Sequence, residues 1–444
     1  MTKSLKSILC ISTAVLSFGM TMPAAAQDDL QVRLQLLEAE IERLKAQVNS
    51  TSSDVELIKT RPDIKKSGPA YNPGTNGFKV GNTTLKLGGF VDLDVHFTKT
   101  SDGEIGTALA GAGRDQFIPS LTPVGDGTND TGDLQLDATI QSSRLTFGSS
   151  TPTDGGDLKT HVELDFLLSP GGNEIVSNSF NPRLRRAYID YKGWRIGQEW
   201  STFQGLHAIP ESASFYAPAE SQVFIRQAQI RYTKGPFQFA VENPESFVDL
   251  ANGLNGNSVQ NEGVLPDFVA RYNWKGDWGL ISFSGLARQL QYEAGDIEES
   301  TFGYGLSVAG RVKVGEKDDI RFTVNGGEGI GRYIGLGIVQ GAQFDSGNQD
   351  FEAIGAVSAN ATYRHVMGPW SANIGASWID IDLDDSVVEN LDETSKAYSG
   401  YVALMRKLAP GMTVGVEYLH GERELVSGVD GTINRFTFST KKSF

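Results

Sequence analysis

The sequence predicts an all-β transmembrane barrel of about sixteen antiparallel strands, preceded by an N-terminal α-helical coiled-coil segment. Three observations predict the barrel. From Phe78 onward, apolar and polar residues alternate with period two. Short turns alternate with long loops along that whole stretch. Aromatic residues crowd beside the short turns, and a membrane–water interface is where amphipathic rings prefer to sit. After residue 26 no apolar run approaches the ~18 residues a spanning helix needs, so any crossing of a bilayer falls to strands.

The chain begins "MTKSLKSILCISTAVLSFGMTMPAAAQDD". Lys3 and Lys6 form a positive n-region, Ile8 to Met20 an apolar stretch and Ala24 to Ala26 a small-residue cleavage site. Residues 1–26 are therefore expected to be a secretory signal peptide. Cys10, the single cysteine, lies inside it, so the exported chain would use no disulfides. The formal net charge of −15, or −17 without Lys3 and Lys6, argues against a nucleic-acid partner.

Residues 27–59 place Leu30, Leu34, Leu37, Ile41, Leu44, Val48, Val55 and Ile58 at alternating four- and three-residue steps, a coiled-coil seam. Glu40 and Lys45 stand where they could pair between chains. The β-branched Ile41, Val48 and Val55 at one seam position, with Leu at the other, lean towards a dimer. Residues 60–77, rich in Pro, Gly and basic residues, read as an extended linker.

Residues 78–444 read as the barrel. In "DLKTHVELDFLL", Leu158, Val162, Leu164 and Phe166 oppose Lys159, His161, Glu163 and Asp165. In "TFGYGLSVAGRVKV", Phe302, Tyr304, Leu306 and Val308 oppose Ser307, Arg311 and Lys313. One apolar and one charged face suit lipid outside and water inside. Strands are expected near 82–98, 133–149, 156–168, 182–191, 194–200, 221–233, 237–243, 265–274, 278–292, 301–314, 319–325, 352–366, 370–382, 396–407, 412–422 and 432–444. Turns such as "YKG", "KGP" and "MGP" alternate with loops such as 99–132, 201–220, 244–264 and 326–351. A stacked pair of sheets has no reason to keep that rhythm. Trp194, Phe237, Trp274, Trp278 and Trp370 sit beside the short turns as an interfacial girdle would. The closing "FTFSTKKSF" would seat Phe444 at the end of the last strand, paired with the first.

A cylinder of this size encloses a water-filled channel. Parity turns Arg231, Arg271, Arg311, Lys313, Arg321 and Arg364 inward, and Arg144 and Arg288 with them. In "NPRLRRAYIDY", Arg183, Arg185 and Arg186 cover both parities. Arg185 and Arg186 are entered as lumen candidates, because an Arg facing lipid costs about 2–4 kcal/mol at mid-membrane. The set would line the pore and hold carboxylates through its guanidinium groups. Glu163, Asp165 and Glu242 are its expected cross-strand partners. The connection after the fifth strand, "STFQGLHAIPESASFYAPAE", is expected to fold inward as a constriction, carrying Phe203, His207, Glu211, Phe215, Tyr216 and Glu220. Acids such as Glu298, Glu299, Asp380 and Asp382 fall on the long-loop side, where they could meet divalent cations bridging lipopolysaccharide phosphates.

The signal peptide, the coiled-coil prefix, "RLRRAYIDYKGWRIGQEWSTF" and "RQAQIRYT" together resemble the DcaP-like porins of Gram-negative outer membranes. The resemblance implies a homotrimer of sixteen-stranded barrels and a prefix projecting into the periplasm. It also implies preference for small anionic solutes of dicarboxylate type. A trimer departs from the dimer lean of the heptads, and tethered barrels can override so modest a preference. No cofactor, metal or catalytic set is expected. His96, His161, His207, His365 and His420 accompany no G-x-S-x-G or H-E-x-x-H motif, which leaves a barrel-embedded hydrolase the weakest alternative. A second alternative is an envelope tether that meets the cell wall through the prefix and Lys59, Arg61, Lys65 and Lys66.

Overall fold

A computed structural model of the chain describes residues 39, 42–43, 70–72, 77–105, 112–125, 132–168, 178–251, 259–262, 264–294, 297–345, 350–383 and 391–444. The signal peptide, coiled coil and linker expectations lie outside these residues, apart from Ala39, Glu42 and Arg43, which are helical.

Sixteen strands close into one cylinder. They are β1 (Thr83–Thr100), β2 (Gln135–Thr139, resumed as Arg144–Thr153), β3 (Gly156–Asp165), β4 (Arg183–Tyr191), β5 (Trp194–Trp200) and β6 (Arg226–Lys234). Next come β7 (Phe237–Glu242), β8 (Asp267–Gly276), β9 (Gly279–Ala294), β10 (Ile297–Val314) and β11 (Asp318–Glu328). The circle ends with β12 (Gly355–Met367), β13 (Trp370–Asp382), β14 (Thr394–Ala409), β15 (Met412–Leu425) and β16 (Asp430–Ser443). Each pairs antiparallel with its neighbour in sequence, and β16 pairs with β1, setting Phe436 opposite Phe97 and Ser443 opposite Phe90. Phe444 and Gly89 then exchange backbone hydrogen bonds of 3.1 and 3.3 Å. No side chain larger than glycine fits at Gly89: its φ is +154°, and a Cβ would lie 2.2 Å from the Arg144 carbonyl oxygen.

Period two explains the two faces. Outward positions such as Phe147, Ile196, Phe239, Phe268, Leu306 and Ile374 are exposed, a surface water would not tolerate but hydrocarbon does. Beside the short turns, Trp194 packs on Tyr232 at 4.7 Å and Trp274 on Trp278 at 4.9 Å. At the opposite end two loops join as a small sheet of Glu245–Ala251, Val259–Glu262, Ala342–Asp345 and Asp350–Ala353.

Most strand ends fall within a few residues of expectation. β6 is the clearest exception, starting at Arg226 and not at 221. Residues 222–224 are taken by a partner that alternation does not reveal. Phe224 N donates to Tyr333 O, and Gly335 N to Gln222 O, at 3.1 Å each. The 329–341 stretch, expected as an outer loop, therefore turns inward. The inner face is also not uniformly polar, as alternation had suggested. Val269, Leu286, Ile379 and Ile381 point inward and form a dry core with Phe203, Val223, Ile330 and Ile334 of the two inward segments. Burial of that apolar surface holds the segments in place, at about 25 cal/mol per Å² removed from water.

Candidate permeation site

The connection from β5 to β6, residues 201–225, runs along the inside of the wall. Thr202 N donates to Glu242 at 2.7 Å. Arg271 donates to the Gln204 carbonyl at 2.6 Å, His207 to that of Ala309 at 3.0 Å, and Arg321 to that of Ile209 at 2.7 Å. Glu211 accepts from Arg364 at 2.8 Å, Ser371 at 2.7 Å and Asn373 at 3.1 Å. Burial alone would raise the Glu211 carboxyl, yet those three donors hold it below the ordinary Glu range. Ala213 N and Ser214 Oγ donate to Glu417. On its way back, Glu220 accepts from Ser399 at 2.7 Å and Ser221 N donates to Ser377 at 3.0 Å. Glu220 is fully buried, and burial pushes its carboxyl up to about 7 despite the Ser399 hydroxyl. The loop thus touches β7, β8 and β10 to β15 through short polar contacts with the wall.

Facing it from β2 to β5 is an arginine–carboxylate lattice. A β-bulge between Glu163 and Leu164 on one side and Arg186 and Leu184 on the other inserts one residue into β4. That extra residue is why parity fails in "RLRR": Arg183, Arg185 and Arg186 all turn inward, while Leu184 stays on the lipid face. Arg183 donates twice to Asp165 at 2.9 Å. Arg185 bridges Glu163 at 2.8 Å and Asp165 at 2.6 Å. Arg186 grips Glu199 with two bonds of 2.6 and 2.7 Å. Arg144 lies 3.5 Å from Glu163. Arg195 forks onto Asp190, reaches Glu199 and lies 4.0 Å over the Tyr188 ring. Arg226 has no carboxylate partner among the described residues and stacks on Trp200 at 4.4 Å and on Phe224 at 5.5 Å. The lattice thus holds more guanidinium groups than carboxylates. A second group gathers Arg311, Arg321 and Arg364 around Asp319, again with cations in excess.

Each sequence-predicted arginine faces the interior, but the group divides. Arg185 is 1% exposed, and Arg231 and Arg288 are buried as well. Arg231 is spent on Thr202, Gln229 and the Trp200 carbonyl; Arg288 on Asp267 and the carbonyls of Gly329 and Glu245. These three brace the wall and the inward segments. Arg144, Arg186, Arg311, Arg321 and Arg364 remain reachable from the lumen, and the Arg311 side chain is 47% exposed. Lys313 is exposed beside them. Among the loop candidates Phe203, Tyr216 and Glu220 are buried, while His207, Glu211 and Phe215 keep partial exposure. Of the expected acidic partners, Glu163 and Asp165 pair as anticipated, whereas Glu242 receives Gln227 and the Thr202 amide instead of an arginine. Sequence reasoning left Arg183 undecided and passed over Arg195, Arg226 and Arg332. Parity with Gly197 and Glu199 could have found Arg195. Nothing in the sequence marks the bulge that turns Arg183 inward, or the fold-back that carries Arg332 to Gln227.

The family described as DcaP outer membrane protein matches residues 112–444. No protein of curated function matches the chain. Among solved structures, the outer membrane channel DcaP of Acinetobacter baumannii superposes with a TM-score of 0.67 at 21% identity, covering 83% of this chain and 99% of that one. Outer-membrane expressed OmpT of Vibrio cholerae superposes at 0.50 with 11% identity, covering 82% and 99%. At such identities the likenesses speak for the fold. With a closed sixteen-stranded cylinder, a lipid-facing apolar surface and an inward loop, and with three quarters of its length matched, the chain belongs to the DcaP outer membrane protein family.

Proposed function

We propose that this outer-membrane porin passes small hydrophilic solutes by diffusion and favours anions, dicarboxylates among them. The observation that carries the reading is the excess of guanidinium over carboxylate along the reachable lumen wall, in a chain whose total charge is −15. A carboxylate solute can exchange between several weak cationic sites without being trapped. We further propose that the short-turn rim faces the periplasm, as in bacterial barrels generally, and that the barrel works as a homotrimer. The remaining partners would be membrane lipid and lipopolysaccharide. The histidines support a non-catalytic reading, since each has a structural neighbour: Thr437 for His96, Tyr188 for His161, Ala309 for His207, Asp318 for His365 and Asn434 for His420.

The test is the reversal potential across a planar bilayer in a KCl gradient. Purified protein should show a potential of the sign set by chloride. Cation selectivity would overturn the anion reading, and absence of any conductance would overturn the pore.

A further inference from the structure

The lysines of the barrel gather at one end, where they outnumber the acids of the short turns, Asp154, Asp157, Asp277 and Glu316 among them. Of the thirteen lysines after residue 77, all but Lys99 and Lys396 lie at the short-turn rim. Exposed acids such as Glu104, Asp133, Glu299, Glu352, Asp382 and Asp430 lie towards the other end. Six of the rim lysines point into the lumen. Lys441 contacts inward Asp92 at 3.0 Å, and Lys159 stands opposite Asp190 with Asp157 at 3.7 Å. Lys86 stands opposite Gly148, itself opposite inward His161, and Lys313 opposite inward Asp319. Lys275 follows Arg271 and Asn273 at two-residue steps, and Lys407 follows Ala403 and Met405. Opposed residues share a face, and two-residue steps keep it. Lys86, Lys275, Lys313 and Lys407 are exposed, and no described carboxylate lies within ion-pair distance of them. They sit on β1, β8, β10 and β14, spread around the circumference.

From this collar we propose that the short-turn mouth binds small multivalent anions, those carrying three or more negative charges, and that such anions block the channel from this side alone. The proposal rests on the anion-leaning pore reading and adds a sidedness to it. Long, flexible lysines with no described carboxylate in ion-pair reach together attract an oligoanion at the mouth more strongly than a monoanion. Each lysine acts over about one Debye length, ~8–10 Å near physiological salt, so the field of the collar reaches a ligand entering the mouth. The acidic long-loop end repels the same ligand.

Single channels in a planar bilayer test this with inorganic tripolyphosphate as the probe. The orientation of each channel is fixed by streptavidin capture of a biotinylated cysteine at K317C, in a chain whose only other cysteine is Cys10. Tripolyphosphate added on the short-turn side should half-block at a concentration about tenfold lower than from the other side, and the difference should vanish in 1 M salt. Quadruple substitution K86Q/K275Q/K313Q/K407Q should abolish the sidedness, and the matching lysine-to-arginine variant should keep it. Equal block from both faces of the wild-type channel overturns the proposal whether or not the variants insert. So does sidedness that survives the glutamine variant. A preparation that never conducts defeats the pore reading itself, an outcome separate from symmetric block.

Discussion

Asp165 carries no exposure at all, yet it receives two bonds from Arg183 and one from Arg185. A buried carboxylate of this kind neutralises two cations that could not otherwise be packed side by side. Removing the charge with Asp165→Asn should therefore destabilise the barrel by about 3–5 kcal/mol, because Arg185 would be left buried beside one carboxylate only. Denaturant unfolding in detergent, followed by the loss of the compact band on unheated gels, would check it; a change below 1 kcal/mol would contradict the assignment. Glu220 makes the opposite case. Its carboxyl is neutral in the ordinary acidic range and is pushed up to about 7 by burial. A raised carboxylate favours the packed loop below the unfolded value near 4.5 and opposes it increasingly as pH climbs to 7, above which the penalty is constant. Between pH 5 and pH 8 the loop should lose roughly 2 kcal/mol of local stability. Hydrogen exchange of residues 213–222 measured at both pH values should show that loss, and Glu220→Gln should remove most of it.

At the scale of elements, two segments share one fate. The loop 201–225 and the stretch 329–341 are joined by the backbone exchange between 222–224 and 333–335 and by the dry core around Phe203 and Ile334. The loop is thereby a fixed partition. Replacing residues 205–219 with a short Gly-Ser link should raise single-channel conductance roughly twofold or more and reduce anion preference, because the restriction and its anchored arginines relax together. Unchanged conductance would mean that the loop does not border the path. These elements also mark where sequence reading succeeds. β5 and β13 are found at their expected residues, since alternation, a glycine turn and a rim tryptophan all agree there. Alternation carries no word about what fills a cylinder. The inward Leu286, Ile379 and Ile381 break it, and only the aliphatic side chains that meet them, 100 residues away or more in some pairs, explain why. Arg183, Arg185 and Arg186 were ambiguous for a different reason: a bulge shifts parity by one and has no composition of its own.

For the whole molecule, stability comes from closure, so parts outside the cylinder should be separable from conduction. Deleting residues 27–67 should leave single-channel conductance unchanged within error while altering oligomer recovery on native gels. A loss of conductance would assign those residues a part in the pore. The seam between β16 and β1 joins residues more than 300 positions apart, and its last two hydrogen bonds belong to Phe444 and Gly89. The ring therefore has no stable open precursor that lacks β16: without that strand, β1 and β15 both keep raw ribbon edges in a solvent that cannot satisfy them. A chain cut short by that one strand should yield an uncapped sheet for proteases to clear, not a smaller pore.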